Sequence, residues 1–301
     1  MNQPMPILFD KVSLRQHRDR AAANYGDFSF LKDEAAIRMI DRLELVRRDF
    51  DLCLDFGCHD GVLSRHLAGG GKIGTVIHAD LSPKFAANAR THGPSIACDI
   101  DRVPFRPNSF DAVFSCLTLH WVDDLPGVMT QMRAALKPDG LLLFSMLGGN
   151  SLTELRSALA AAESEIDGGL SPRCAPMADI RDIGGLLGRA GLALPVADSD
   201  RLTITYPNMF RLMADLRGMG EQNALADRLR KPTGRALFMR AAEIYQAEYG
   251  NDDGTIPASF EIITLTGWAP HESQQKPLRP GSAKHRLADI LHSEEQDPES
   301  G

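Results

Sequence analysis

The residues with the clearest chemical content lie in Leu52-Cys-Leu-Asp-Phe-Gly-Cys-His-Asp-Gly-Val-Leu-Ser-Arg-His-Leu67. Here an apolar strand pattern ends in Asp55-x-Gly57-x-x-x-Gly61 and passes directly into a helix pattern. The glycines let the backbone turn sharply and approach a ligand with no Cβ in the way, and the free N–H groups at the helix start favour polar or anionic groups. Nineteen residues after Gly61, a second strand pattern from Ile73 to Ala79 ends in Asp80. An acidic side chain at that place can accept hydrogen bonds from both hydroxyls of a ribose. Acidic strand ends at this spacing point to an adenosyl ligand.

What the turn lacks narrows the choice. A dinucleotide site expects Gly-x-Gly-x-x-Gly and a P-loop expects Gly-Lys-Ser/Thr, and this turn has neither. An acid two positions before the first glycine repels phosphates and suits a cation. S-adenosylmethionine, with a sulfonium, an ammonium and no phosphate, fits. The run resembles the Asp-x-Gly-x-Gly-x-Gly motif of class I S-adenosylmethionine-dependent methyltransferases, with one departure: His59 stands at the middle glycine. A side chain there is expected to crowd the methionine part of the ligand.

The elements that must position these residues alternate along the chain. Leu81-Ser82-Pro83 opens a helix to about Arg90, with Ser82 as N-cap and proline in the first turn. Short strands are predicted at Ser95 to Cys98 and Phe110 to Cys116, then a helix in which Leu125, Val128, Met129, Met132, Ala135 and Leu136 recur at helical spacing. Lys137-Pro-Asp-Gly140 reads as a turn into a buried strand, Leu141 to Met146. This alternation implies an α/β fold with a parallel, doubly wound sheet. Ser151-Leu-Thr-Glu154 has the capping-box pattern at the head of an Ala-rich helix, broken at Gly168-Gly-Leu-Ser-Pro172. A helix at Asp179 to Ala190, a strand around Leu202 to Tyr206, helices at Met209 to Leu216 and Ala236 to Tyr249, and a β-branched run from Phe260 to Trp268 follow.

This gives an N-terminal helical segment at 1–48, a core domain at 49–272 with helical insertions at about 151–175 and 207–250, and a poorly ordered tail at 273–301 rich in Pro, Ser, Glu and Gln. The insertions, with Leu31 to Val46, are read as a lid over the sheet's carboxyl ends.

Composition excludes several classes. With 301 residues, 43% apolar and 24% charged, the chain can bury one large core or two smaller ones. A net charge of −7 argues against nucleic acid as partner. No stretch approaches the roughly 18 uninterrupted apolar residues of a membrane span, and no secretory h-region is present at the start. The five cysteines form no Cys-x-x-Cys pair, so neither a zinc site nor a disulfide framework is implied, and no metal is expected. His78-Ala-Asp80 has the form of part of an iron facial triad, but Asp80 is already explained as a ribose contact.

Several stretches together carry a resemblance: Phe9-Asp10, Phe30-Leu-Lys-Asp-Glu34, Leu119-His-Trp-Val-Asp-Asp-Leu-Pro126, Gly148-Gly-Asn-Ser-Leu-Thr-Glu-Leu-Arg156, Leu186-Leu-Gly-Arg-Ala-Gly191, Tyr206-Pro-Asn-Met-Phe210, Gly218-Met-Gly-Glu221 and Gly267-Trp-Ala-Pro-His-Glu-Ser-Gln274. From Phe9 to about Ser282 the chain resembles the respiratory complex I assembly factor 5 family. It is less closely similar to the malonyl-acyl-carrier-protein methyltransferases of biotin synthesis. The resemblance implies a methyltransferase fold, hydroxylation of an arginine in the complex I iron–sulfur subunit near the quinone site, and a bacterial, cytoplasmic member without the transit peptide of mitochondrial relatives. It also implies peripheral membrane association through complex I intermediates, without a span.

By the same resemblance Asp55 orients the methionine ammonium, Gly57 and Gly61 are the loop glycines, Asp80 holds the ribose, Asp99 with the backbone of Ile100 reads the adenine amino edge, and Ser115 lies beside the methionine part. From the residues themselves, the alternative for Asp99 is that it simply starts a turn, where aspartate is common. His120 and Trp121 either line the substrate pocket, with His120 as a base, or form a packed aromatic pair. For Trp268 and His271, core packing is expected. Arg15, His17, Arg18 and Arg20 read as a solvated helix face. Three function classes stay open: a protein-modifying enzyme of complex I assembly, a conventional methyltransferase of a small molecule or carrier protein, and a non-catalytic ligand-binding assembly chaperone.

Overall fold

The computed structural model describes residues 7–68 and 70–275. The elements run α1 (Lys11–Ala21), a 3₁₀ turn (Tyr25–Asp27), α2 (Phe30–Glu44), β1 (Phe50–Phe56), α3 (Val62–Leu67), β2 (Ile73–Asp80), α4 (Pro83–Ala89), β3 (Ser95–Ala97), β4 (Phe110–Cys116), a second 3₁₀ turn (Leu119–Trp121) and α5 (Leu125–Ala135). They continue with β5 (Leu136–Leu147), α6 (Thr153–Asp167), α7 (Ile180–Arg189), β6 (Ala193–Tyr206), α8 (Met209–Met219), α9 (Arg235–Tyr249) and β7 (Ile256–Trp268). Residues 271–275, a separate unit from 7–270, form a turn in which the Ser273 hydroxyl meets His271 Nδ1 at 2.8 Å.

The strands form one seven-stranded sheet in the order β3-β2-β1-β4-β5-β7-β6. β1 to β5 pair in parallel, as the βα alternation predicts, while β7 inserts antiparallel between β5 and β6. Successive residues of the central strands serve opposite layers. Leu141 and Leu143 join the cluster formed with α2, α6, α8 and α9, whereas Leu142 and Phe144 join the cluster formed with α5 and α7. Both faces are therefore covered, and the central strands read as apolar runs rather than alternating ones. The sheet order reverses between β1 and β4, so the chain turns away on either side of the β1 carboxyl end, the switch point at which open α/β sheets bind their ligands.

Several local expectations are corrected. The 137–140 segment is an irregularity within β5, where the partner of Phe110 is Leu136 and that of Ala112 is Leu141. β6 starts at Ala193, well before Leu202, because the antiparallel pairing with β7 extends it. The capping box does not form: Leu152, at φ 53°, precedes α6, the Ser151 hydroxyl donates to Glu261 O at 3.2 Å, and Glu154 instead accepts from the Ser259 hydroxyl at 2.6 Å. Tertiary ties to β7 outcompete the local cap. α2 is not part of a lid. Its Leu31, Ala35, Ala36, Met39 and Leu43 lie in the core against the sheet face, and Arg42 donates to Asp198 on β6 at 3.0 Å. His271 is exposed rather than packed, while Trp268 packs against the core. The predicted tail lies outside the described residues from 276 onward.

Candidate cofactor and substrate site

The glycine turn follows β1 as predicted, and its backbone needs the conformations that its sequence supplies. Gly57 and Gly61 sit at φ 76° and 85°. A Cβ on Gly57 would come within 2.2 to 2.5 Å of the Thr118 side chain, so this glycine is required both for its dihedral and for the close approach of the β4 end. The middle position is also left-handed, but it is filled by His59 at φ 50°. That explains why the related motif prefers glycine there: a β-carbon at positive φ costs roughly 1–2 kcal/mol.

The His59 ring is fully enclosed. It stacks on Tyr25 at 5.2 Å and tilts against Phe85 at 4.8 Å, and its Nδ1 accepts a hydrogen bond from Lys32 Nζ of α2. Burial first, then the adjacent Lys32 and Arg18 cations, push its pKa well below the ordinary imidazole value, so the ring is neutral. Lys32 also donates to Gly57 O at 2.9 Å, as does the Thr118 hydroxyl at 2.9 Å. The turn is thus pinned from two sides.

Asp55, at the end of β1, is 0% exposed, and neither of its carboxylate oxygens has a hydrogen-bond partner. Desolvation pushes its pKa up to about 7 against the opposing influence of Lys32. A buried carboxylate with both oxygens free is complementary to a cation. Asp80, at the end of β2, is also 0% exposed but is engaged: Oδ1 accepts from Ser82 N at 2.7 Å and Oδ2 from His59 N at 3.0 Å, with Arg18 Nη1 of α1 at 3.7 Å. Asp99 is exposed and accepts from Asp101 N at 3.0 Å, the turn contact open to an aspartate after a strand, with buried Ile100 beside it. The Ser115 hydroxyl donates to Phe56 O at 2.6 Å and ties β4 to β1, so its proton is already committed. His78 is turned to Ser64 Oγ at 2.7 Å and Pro94 O at 3.3 Å.

On the other side of the turn, His120 and Trp121 occupy the 3₁₀ turn after β4 and share one acceptor, Glu221, which follows α8. Trp121 Nε1 donates to Glu221 Oε2 at 2.7 Å, and His120 Nε2 lies 3.2 Å from the same oxygen. With Nε2–H directed to the carboxylate, the buried His120 Nδ1 has no partner. Burial opposes ionisation of Glu221, but the His120 and Trp121 bonds and nearby Arg18 outweigh it and hold the carboxyl below its usual range. Leu147, His120 and Glu221 line two cavities at once. One, of about 20 Å³, lies beside Tyr25, Lys32 and His59 and has room for about one water. The other, of about 410 Å³, has walls from α6, α8, α9 and the 171–177 segment, apolar at Leu155, Met177, Met213 and Phe238 and basic at Arg156, Arg173, Arg217 and Arg228.

Sequence reasoning missed Arg18, Lys32 and Glu221. For Arg18 a signal existed: Leu14, His17, Arg18 and Ala21 share the buried face of α1 at helical spacing, so the basic run is only partly a solvated one. Lys32 and Glu221 fall within two of the stretches that carry the resemblance, 30–34 and 218–221, but no local pattern gives them a role, since each meets its partners across the fold.

The sheet order with its antiparallel β7, the glycine turn after β1 and the acidic ends of β1 and β2 define a class I methyltransferase fold. The family described as "Methyltransferase domain" matches residues 54–144. The solved structure of phosphoethanolamine N-methyltransferase 2 from Haemonchus contortus, in complex with S-adenosyl-L-methionine, shares this fold at a TM-score of 0.53 and 17% identity over 86% of this chain and 60% of that one. The chain is 38% identical to the mitochondrial arginine-hydroxylase NDUFAF5 of Danio rerio over 94% of its own length and 89% of the relative's. It is 31% identical to the malonyl-[acyl-carrier protein] O-methyltransferase of Gallionella capsiferriformans, over 88% and 92% of the two chains. The chain belongs to the NDUFAF5 family.

Proposed function

We propose that this protein is an S-adenosylmethionine-binding enzyme of respiratory complex I assembly that modifies an arginine of the complex's iron–sulfur subunit near the quinone site by hydroxylation, with dioxygen as oxidant and an external two-electron donor reducing its second oxygen atom to water. It would work on the cytoplasmic side of a bacterial membrane, reaching the membrane only through assembly intermediates. The observation that carries this reading is the nearly full-length likeness to an arginine-hydroxylase, closer than the likeness to the O-methyltransferases. Among the described residues no helix is long and apolar enough to cross a membrane.

The cofactor reading is supported by the two unpartnered oxygens of Asp55, by the positive φ of Gly57 and Gly61, and by Asp80 at the end of β2 and Asp99 with Ile100 after β3; in that reading they would take the ammonium, form the turn, and hold the ribose and the adenine edge. When bound, S-adenosylmethionine supplies a sulfonium cation carrying a transferable methyl. The chain's own contribution lies at Glu221 and His120. Glu221 is kept ionised where the two cavities meet, which suits a substrate guanidinium. His120, oriented through Nε2, offers Nδ1 to a proton on the acceptor.

The test is deletion of the gene in its host and mass spectrometry of peptides from the iron–sulfur subunit. Loss of an arginine carrying one added oxygen supports the proposal, and labelling with heavy dioxygen against heavy water identifies the oxygen source. An unmodified arginine in both strains overturns it.

A second reading is favoured by one specific feature: the large cavity pairs an apolar interior with Arg156, Arg173, Arg217 and Arg228. That lining suits an acyl substrate with an anionic end, as in a conventional methyltransferase acting on a carrier protein. Release of S-adenosylhomocysteine on adding malonyl-carrier protein to purified enzyme would support it over hydroxylation.

A further inference from the structure

Arg18 is the largest fully buried side chain, at 0% exposure, and none of its guanidinium nitrogens makes a hydrogen bond. Arginine stays charged in the protein interior, and a buried charge without hydrogen bonds is costly. Its nearest anion, Asp80 Oδ2 at 3.7 Å, is already taken by the His59 amide, and Asp80 Oδ1 by the Ser82 amide. Asp80 therefore neutralises the guanidinium without satisfying its donors. A second buried cation, Lys32 at 3% exposure, spends two bonds on Gly57 O and on neutral His59, and neither partner carries charge. A lysine ammonium keeps a further donor beyond these.

These two cations converge on the glycine turn from different elements, α1 and α2, and both act on the same His59 imidazole between them. Lys32 is also the cation that acts on Asp55, whose own oxygens are unpartnered. The interior thus presents an unsatisfied acid next to unsatisfied basic donors. That is the complement of an α-amino acid, in which ammonium and carboxylate sit on one carbon.

We infer that Arg18 and Lys32 form a subsite for the α-carboxylate of the cofactor's amino-acid end, with Asp55 taking the ammonium of the same carbon. This rests on the reading of the turn as an S-adenosylmethionine site and adds what it selects: a complete zwitterion, not an adenosyl thioether of any kind. It also gives the N-terminal helices a binding role, since α1 and α2 carry the anion-binding groups and the sheet carries the cation-binding one.

The experiment is calorimetric titration of the full chain with S-adenosylhomocysteine and with its decarboxylated analogue, which keeps the ammonium and lacks the carboxylate. A charge-assisted arginine–carboxylate pair predicts wild-type preference for the complete ligand by about thirtyfold or more. Arg18→Gln should reduce that preference to a few-fold by weakening the complete ligand alone, and Arg18→Lys should restore part of it. Lys32→Gln, read in the same way, covers the case in which Arg18→Gln fails to fold. Equal wild-type affinity for the two ligands, or variants that weaken both ligands equally, would overturn the subsite while leaving the cofactor reading in place. Failure of wild type to bind either ligand would overturn both.

Discussion

Cofactor affinity should depend on pH through Asp55. Its carboxyl is pushed from the ordinary 3.8 up to about 7 because burial strips its hydration while Lys32 only partly compensates. An ammonium ligand binds the ionised form, so binding must carry the cost of deprotonation wherever the free site is protonated. With a pKa of about 7, roughly one-tenth of the free protein is ionised at pH 6 and about nine-tenths at pH 8, so affinity for S-adenosylhomocysteine should rise about tenfold across that interval, or about 1.4 kcal/mol. Titration in two buffers of different ionisation enthalpy measures the linked proton directly: release of about 0.9 proton per ligand at pH 6 and about 0.5 at pH 7 is expected. Affinity flat from pH 6 to 8, or an Asp55→Asn variant that keeps the pH slope, would refute the reasoning. The same shift has a stability consequence of fixed sign. A carboxyl whose folded pKa lies above its unfolded one binds its proton more tightly in the folded state, so stability falls as pH rises from about 4 to about 7 and stays lower above. Asp55→Asn should therefore raise stability at pH 8 by up to about 4 kcal/mol while removing ligand binding, which a structural acid would not do.

Three other substitutions follow from the site geometry. His59→Gly relieves a side chain at φ 50°, worth about 1–2 kcal/mol, but empties the enclosed space between Tyr25 and Phe85 and removes an acceptor from Lys32, so it should lower stability by about 1–3 kcal/mol net while tightening cofactor binding; weaker binding would show that the imidazole is itself a contact. Gly57→Ala places a Cβ within 2.5 Å of Thr118 at φ 76° and should cost about 2 kcal/mol or more in denaturant unfolding, with Thr118→Ser failing to restore it fully because the dihedral penalty remains. Glu221→Gln removes the shared anion of His120 and Trp121, so it should change tryptophan fluorescence and lower turnover about 100-fold with cofactor affinity nearly unchanged; equal loss of both would make Glu221 a folding residue.

The parallel half of the sheet was legible because its signals are local. Apolar runs bounded by glycine, proline and aspartate mark β1, β2, β4 and α5, and the cap by Ser82 forms as read, its hydroxyl accepting from Phe85 N at 3.2 Å. The antiparallel insertion of β7 was not legible, since nothing in Phe260 to Trp268 states which neighbour it will pair with. The same distinction separates Ser82 from Ser151. Both open with cap chemistry, but Ser151 and Glu154 meet β7 across more than a hundred residues of chain, and those buried bonds displace the local alternative.

The site divides along the same line. Asp55, Gly57, Gly61 and Asp80 are set by the backbone at strand ends, where side-chain type alone fixes what can be bound. Arg18, Lys32 and Glu221 reach the turn and the segment beside it from α1, α2 and the end of α8, and their chemistry exists only because the fold packs those elements against the ends of β1, β2 and β4. His59 is where the two sets meet: its backbone amide serves Asp80, its ring takes Lys32, and its left-handed dihedral is the strain that glycine would avoid. A residue that costs backbone energy in the motif yet is held by contacts from α2, the Tyr25 turn and α4 is over-determined by its surroundings, which is how strained conformations persist at working sites. The departure from the related motif is therefore coupled to Lys32, and substitution at either position should change what the other does: His59→Gly in a Lys32→Gln background should lose most of its gain in binding, because the carboxylate donor it exposes is gone.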